Sequence, residues 1–474
     1  MGKKTKLLCS VIAMLSVFQN YSIVDAMQSS VDNEVKYTIK NEQTLPPAPI
    51  VFEGEDISYD QATGEVYAKG NVKITQKTAN LTADEIKGNM QTADVWIDGK
   101  AHITQQEKPV LDLNGYMSHY NYQKHQGSMG NVVGKADDKY IKGEKIEFFP
   151  EEIIVYNGML TKCPAKKPDY HMSASKIEIW PNKRMIAYDA KFWLKNRVIY
   201  STKRYETEIG ENAKNTAFPK IGYNNDDGMY IRQKFDHFFT EDLFGFANIG
   251  YFSKSHFKNE YGLKWHKPEY SLILEAGDFQ DSDDHWIKKE PSVRFIYPNR
   301  KIGNTPYSYR FDAEYGKWSD DDKKSWHQDY ELYFSRDPIA LSNSLNLYLG
   351  AGYEVIKESY DHSQINTIKY DATLHKTLSS KLNVWTGYHY TKNDTASTLF
   401  NYDNPDVGKE LASGISYRFD DKNKVVIAQS YDVENSRVAD MDYTWYRDLH
   451  CWQASLTYRE KRDEWKIKFD ITHW

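Results

Sequence analysis

The chain has 474 residues, with Lys+Arg 61 against Asp+Glu 67 and a formal net charge of −6. That balance excludes a basic nucleic-acid surface as the main theme, so no nucleic-acid partner is expected. At 40% hydrophobic and 14% aromatic residues, the chain is too polar for a bundle of spanning helices and too aromatic to be disordered.

Residues 1–26 read as a signal peptide. Lys3, Lys4 and Lys6 give the positive end, residues 7–18 the apolar run, and Val24-Asp25-Ala26 a small-residue cleavage site. The run is too short to span as an ordinary transmembrane helix. Cys9 lies inside it, which leaves Cys163 and Cys451 in the mature chain. In an oxidising compartment two cysteines point to one bridge; two unpaired buried thiols are the alternative. Residues 27–49 are polar and close on Leu45-Pro46-Pro47-Ala48-Pro49, a leader or linker. No later stretch reaches the roughly 18 apolar residues of a spanning helix, so any passage through a membrane is by a barrel.

Residues 50–205 repeat. Gly54-Glu55-Asp56-Ile57, Ala83-Asp84-Glu85-Ile86, Gly143-Glu144-Lys145-Ile146 and Ala174-Ser175-Lys176-Ile177 are cognate starts, with a weaker copy at Asn114-Gly115-Tyr116-Met117. The spacing is roughly 30 residues, the mark of stacked supersecondary units. The starts at 54, 83, 114 and 143 are each followed by a glycine read as a turn: Gly70, Gly99, Gly130 and Gly158. Glu65-Val66-Tyr67-Ala68 before Gly70-Asn71-Val72-Lys73-Ile74 reads as two short strands around a tight turn. Stacked hairpins of this kind predict an all-β roll, a jellyroll of two sheets. Its interior is either a closed dry core or a groove that holds a lipid chain. Ile57, Val72, Ile74, Ile86 and Val95 are the groove candidates. An edge strand at the end of the stack is a docking site for a second stack.

Residues 206–474 change to alternating segments split by polar turns. Glu464-Trp465-Lys466-Ile467-Lys468-Phe469-Asp470-Ile471-Thr472 alternates without a fault, as does Tyr307-Ser308-Tyr309-Arg310-Phe311-Asp312-Ala313-Glu314-Tyr315. Charged faces opposite tall aromatic and aliphatic ones predict an antiparallel transmembrane β-barrel of about 14 to 16 strands. A soluble sandwich is the alternative. Asp281-Ser282-Asp283-Asp284 and Ser319-Asp320-Asp321-Asp322 read as external loops, and the chain ends on the aromatic Trp474.

Little catalytic chemistry is visible. There is no nucleophile elbow, P-loop, dinucleotide fingerprint or His-Glu-x-x-His. His119, His125, His285, His362 and His450 do not have the spacing of a metal triad. No metal, no cofactor and no enzymatic activity are expected.

Three stretches resemble known families. Tyr67-Ala68-Lys69-Gly70-Asn71-Val72-Lys73-Ile74, followed by Leu81-Thr82-Ala83-Asp84, resembles the OstA/LptA domain. Thr161-Lys162-Cys163-Pro164 with Pro168-Asp169-Tyr170-His171-Met172-Ser173-Ala174, and Tyr446-Arg447-Asp448-Leu449-His450-Cys451-Trp452, are similar to the Cys-bearing segments of the LptD family of lipopolysaccharide-assembly barrels. The resemblance implies a barrel in the outer membrane with its N-terminal domain in the periplasm. It implies that lipopolysaccharide arrives from a periplasmic LptA-like bridge and leaves between the first and last barrel strands. The implied partners are an LptE-like lipoprotein plug, outer-membrane lipid and the barrel-assembly machinery. It pairs Cys163 with Cys451 and places a lateral gate at Pro219, Trp465, Ile467, Phe469, Ile471 and Trp474. The chain departs from the family in carrying one cysteine pair instead of two. Asn196-Arg197-Val198-Ile199-Tyr200 also lacks an expected proline, and Phe218-Pro219 alone remains. A porin- or receptor-type barrel and an outer-membrane lipid-modifying enzyme are the rival readings.

Overall fold

The computed structural model describes residues 50–471, except 107–109, 138, 182, 210–217, 282–283, 321, 392–398, 403–404 and 406. The expected signal peptide and leader, and Trp474, lie outside the described residues. Among the described residues the fold is all β, apart from the single 3-10 turn Glu460–Arg462.

The first part is one 12-stranded antiparallel sheet, in which strands adjacent in sequence pair from Glu65–Gln76 onward. This is coarser than the jellyroll expected from the repeats. Alternation buries one face: Ala68, Val72, Ile74, Ile86 and Val95 are inside, within one apolar cluster that runs on to Phe192 and Phe218. The glycines read as turns are not turns. Gly70 lies inside the continuous strand Glu65–Gln76, Gly99 inside Asp94–Gln105, Gly130 inside Gln126–Ala136 and Gly158 inside Ile153–Thr161. Gly70 (φ +78°) and Asn71 (φ +47°) take left-handed backbone, and the register with the next strand shifts between Lys69 and Val72. The strand is therefore bent by a bulge instead of being cut in two.

The repeat has a chemical cause at these bends. The Asn71 amide donates to Glu55 Oε1 (2.7 Å), and the Asn157 amide donates to Glu144 Oε2 (2.7 Å). Ser175 Oγ donates to Asp189 Oδ2 (2.8 Å), with Asp189 also left-handed at φ +51°. The polar residue that starts a unit thus holds the bend of the following strand. The sheet runs on to Glu208 through the strand Arg197–Glu208, so the expected boundary at 205/206 moves past that residue.

The second part is a closed antiparallel barrel of 16 strands, from Lys220–Asn224 to Glu464–Ile471. The short strand Ile339–Ser342 adds only to Leu345–Glu358. Outward positions are apolar and exposed, among them Ile231, Phe257, Tyr315, Trp326, Phe334, Ile368 and Trp445. Inward positions are charged and matched. Lys289 Nζ lies 2.7 Å from both Glu275 and Glu314, and Lys369 Nζ lies 2.6 Å from both Glu331 and Glu354. Charges taken from bulk water need partners of this kind.

Candidate functional site

Three features lie in sequence along the molecule: an apolar cavity in the sheet, a cross-linked junction, and the seam that closes the barrel.

The cavity has a volume of about 310 Å³, and Ile74, Leu81, Val95, Ile103, Leu111 and Ile153 contribute to its wall. Val95 and Ile103 stand near opposite ends of Asp94–Gln105, yet both line this one space. On a straight strand they would be ~26 Å apart, so the bend wraps the sheet around the cavity. Of the sequence-predicted groove residues, Ile74 and Val95 line the cavity wall. Val72 and Ile86 are buried in the adjoining cluster. Ile57 is not with them. It lies on the peripheral strand Asp56–Tyr59, every residue of which is exposed, and is itself 48% exposed.

Cys163 and Cys451 are bonded to each other at the junction, with a Cα–Cα separation of 5.0 Å. Both are buried in the sheet's apolar cluster. His450 Nδ1 lies 3.6 Å from Cys451 Sγ, but the two sulfurs are committed to each other, so this trio offers no thiolate to a metal. Aromatic rings extend the junction. Tyr170 meets Phe218 at 5.0 Å and Trp452 at 6.0 Å, both edge-on, and Phe218 meets Phe192 at 5.6 Å. Burial pushes the Tyr205 phenol, which packs on Phe192, far above its ordinary range. Polar contacts complete the join. The Phe238 amide donates to Glu206 Oε2 (2.6 Å), and Lys264 Nζ donates to Glu208 (2.7 Å).

The seam lies directly above. Phe218, held in the sheet's core, is followed by Pro219 and then by the first barrel strand Lys220–Asn224. That strand pairs along its whole length with Gly228–Phe238. Among the described residues it shares three pairs with the last strand: Ile221 with Phe469, Gly222 with Lys468, and Tyr223 with Ile467. Elsewhere in the barrel, every residue of Tyr307–Asp320 has a partner in Lys323–Arg336. Pro219 has no N–H to extend the ladder downward. Upward, a side chain replaces the ladder. Asn225 Nδ2 donates to the Asp463 carbonyl (3.2 Å) and Asn225 Oδ1 accepts from the Trp465 amide (3.4 Å). Inside, Lys466 Nζ pairs with Asp284 at 2.7 Å, so the loop carrying Asp284 reaches the last strand from beyond the first.

Among the predicted gate residues, Trp465 and Phe469 are on the outer face, 45% and 39% exposed. Ile467 shares their parity and faces Tyr223. Ile471 pairs with Trp452 on the other side of its strand. Asn225, Asp284 and Phe218 carry equal weight in this geometry, and the sequence does not mark them as gate or clamp residues. A loop Asn or Asp carries no periodic signal, and Phe218 reads as a neighbour of the proline.

At the far mouth of the barrel, Phe400 is buried against Ile287 and Trp318, and Tyr402 meets Trp318 edge-on at 5.4 Å. Phe400 and Tyr402 thus pack on Trp286–Lys301 and Tyr307–Asp320 and cover part of the mouth there.

No family model and no curated protein sequence matches the chain. Several solved structures share some of its form. A porin variant from Rh. blastica is 7% identical at a TM-score of 0.31, over 53% of this chain and 95% of that one. A bacterial polysaccharide outer membrane secretin is 13% identical at a TM-score of 0.31, over the same shares of 53% and 95%. The KdgM porin in complex with disordered oligogalacturonate is 10% identical at 0.20, over 54% of this chain and 98% of that one. Overlap this loose and identity this low carry no functional inference.

Proposed function

We propose that this protein is an outer-membrane lipopolysaccharide translocon. The sheet curls as an OstA-like jellyroll in the periplasm and takes lipopolysaccharide from an LptA-like bridge docked on its edge. The barrel releases the lipid sideways into the outer leaflet by parting Lys220–Asn224 from Glu464–Ile471. Exposed Tyr, Trp and aliphatic side chains on the barrel's outer wall support its place in a bilayer. One observation carries the reading: among the described residues the closing seam has three residue pairs, with Phe218 just before its first strand and Cys451 just before the neighbour of its last strand, both buried in the sheet's cluster.

The physical task is to move several acyl chains through water. Each buried CH₂ is worth roughly 0.8 kcal/mol, so exposing whole chains is prohibitive. A bent sheet with an apolar interior shelters them, while the charged lumen accommodates the sugars. An LptE-like lipoprotein as plug and the barrel-assembly machinery as inserter belong to the same proposal.

Photo-crosslinkers at Val72, Ile74, Ile86 and Val95 test the route in cells. They are expected to capture lipopolysaccharide, whereas one at the outward Lys73 is not. Capture at Lys73 alone would sink the interior path. A porin- or receptor-type barrel is the second reading, favoured by the closed ring and ion-paired lumen. It calls for ion conductance by the purified barrel and no lipid capture.

A further inference from the structure

Three lysines converge on the outer wall of the barrel near its loop-bearing mouth. Lys288 Nζ lies 3.7 Å, Lys324 Nζ 3.7 Å and Lys317 Nζ 3.9 Å from the carboxylate of Glu290. Register fixes the side of the wall they occupy. Lys317 is paired with Trp326, Ser319 with Lys324, and Lys288 with Ser319. Directly opposed residues share a face, and Trp326 is exposed on the outer one. A break in the ladder between Lys289 and Ser292 frees Glu290 to turn outward, where it accepts from Ser319 Oγ (3.3 Å).

The height of the cluster is equally defined. Tyr315 and Trp326 stack at 5.4 Å on the outer wall, 48% and 43% exposed. Such rings sit at the level where hydrocarbon meets headgroups. Lys317 and Lys324 are each two residues nearer the mouth, ~7 Å along the strand. The cluster therefore stands in the headgroup layer, at the end of the barrel opposite the Cys451 junction.

The charge is unbalanced. Among the described residues, three ammoniums within 4.0 Å of Glu290 face its single carboxylate, an excess of two positive charges within the cluster itself. At 3.7–3.9 Å none of the three is within hydrogen-bond distance of Glu290. Lys288 and Lys324 are 58% and 57% exposed, so their donors face outward. An anion with several oxygens, held at membrane height, completes this set.

We propose that Lys288, Lys317 and Lys324 bind the phosphorylated headgroup of a lipid resident in the outer leaflet, with Tyr315 and Trp326 against its upper acyl region. The site is several strands from the seam, so it holds an annular lipid and not cargo in transit. The proposal rests on the membrane reading of the barrel.

The test uses the full-length protein, delipidated in detergent. Retention of lipopolysaccharide bearing its lipid A phosphates is compared with that of the dephosphorylated form. The phosphorylated form is expected to be preferred. Lys288→Ala/Lys317→Ala/Lys324→Ala is expected to reduce its retention on the order of a hundredfold. Glu290→Gln, which removes the competing carboxylate, should raise retention roughly fivefold, and three Lys→Arg changes should preserve it. Equal retention by the triple Ala variant overturns the site. Competition by inorganic pyrophosphate as effective as by lipid also overturns it, since a free anion then suffices. Detergent partition of each form separates the two readings. A barrel that partitions into water sinks the membrane reading and the site together, whereas a detergent-bound barrel with unchanged lipid retention sinks the site alone.

Discussion

Ile221 stands opposite Phe469 across the closing seam, and among the described residues the ladder runs from there to Tyr223, which faces Ile467 two residues on. Each ladder bond contributes a net ~1 kcal/mol, so the cost of parting two strands grows with their paired length. The closing pair is thus the cheaper place to open a ring whose other walls have more pairs, such as five between Lys220–Asn224 and Gly228–Phe238 and thirteen between Leu345–Glu358 and Gln364–Ser379. The same strand Lys220–Asn224 is fully paired on its other side, so opening leaves it attached to the barrel.

Welding that seam tests its use. Tyr223→Cys/Ile467→Cys places two thiols on directly opposed positions. With the crosslink complete, newly made lipopolysaccharide at the cell surface should fall on the order of tenfold and recover on reduction. Normal surface delivery through a fully crosslinked barrel would exclude lateral release at this position.

Gly222 gives the complementary change. A Cβ there would stand 2.7 Å from the Ile467 carbonyl oxygen and press on the Tyr230 hydroxyl. Overpacking of this kind costs about 1–3 kcal/mol, comparable with the seam itself. Gly222→Ala should leave the cell permeable to large apolar antibiotics and lower the temperature at which the barrel loses its compact mobility on electrophoresis. Gly99→Ala, where an added Cβ meets nothing within 4 Å, is the control expected to change neither.

How far the sequence foretells this molecule depends on the range of the interaction. The alternation of Trp465, Ile467 and Phe469 against Lys466 and Lys468 is local, and it gave the barrel wall correctly. The repeat was legible for the same reason, but its chemistry was not. Gly70-Asn71 reads equally as a hairpin turn or a bend, and the choice is made by Glu55, which lies on an earlier segment and takes the Asn71 amide. Ile57 fits the apolar pattern yet lies on a peripheral strand, and a pattern does not show which strand ends a sheet. The shortness of the seam depends on register between the two ends of the chain. Lys288, Lys317 and Lys324 come from three strands, so only the folded register gathers them around Glu290.

The junction makes its own prediction. Cys163 and Cys451 are separated by 288 residues in sequence, and a cross-link closing so long a loop restricts the unfolded chain strongly. The mature protein should migrate differently with and without reductant, and Cys163→Ser should abolish the difference. Loss of such a bridge typically costs 2–5 kcal/mol, here expressed as faster proteolysis between the sheet and the barrel, around Glu208. An unchanged shift in Cys163→Ser would mean the sulfurs pair otherwise.

The upper seam depends on side chains. Asn225→Ala removes both bonds to the backbone of Asp463 and Trp465, and Lys466→Gln removes the charge that holds Asp284. Each bond contributes about 1 kcal/mol, and a partly buried ion pair somewhat more. Either change should increase the exchange of the Trp465 amide roughly tenfold, and the double change should exceed either alone. Exchange limited elsewhere, with no response to either substitution, would remove Asn225 and Lys466 from the clamp.

Acid should loosen one row of strand ends in the sheet in a defined window. Asp94 accepts from Asn121 Nδ2 (2.9 Å) and from His119 Nε2 (3.0 Å). The Asn121 bond, with help from Thr92 and His119, holds the Asp94 carboxyl below the usual carboxylate range. A depressed folded value means the ionised form is favoured by folding. Its contribution is therefore complete above the unfolded value of ~3.9 and disappears as pH falls through the lower folded value. The reporter is the Tyr122 amide, which donates to the Ala93 carbonyl (3.0 Å) beside this network. Its exchange, corrected for the intrinsic rate, should be flat from neutral pH to about 5 and rise only below ~4. Asp94→Asn should exchange faster throughout the flat range and converge on the native protein in acid. A difference that persists undiminished below the folded value would show that the carboxylate charge is not what secures these strand ends.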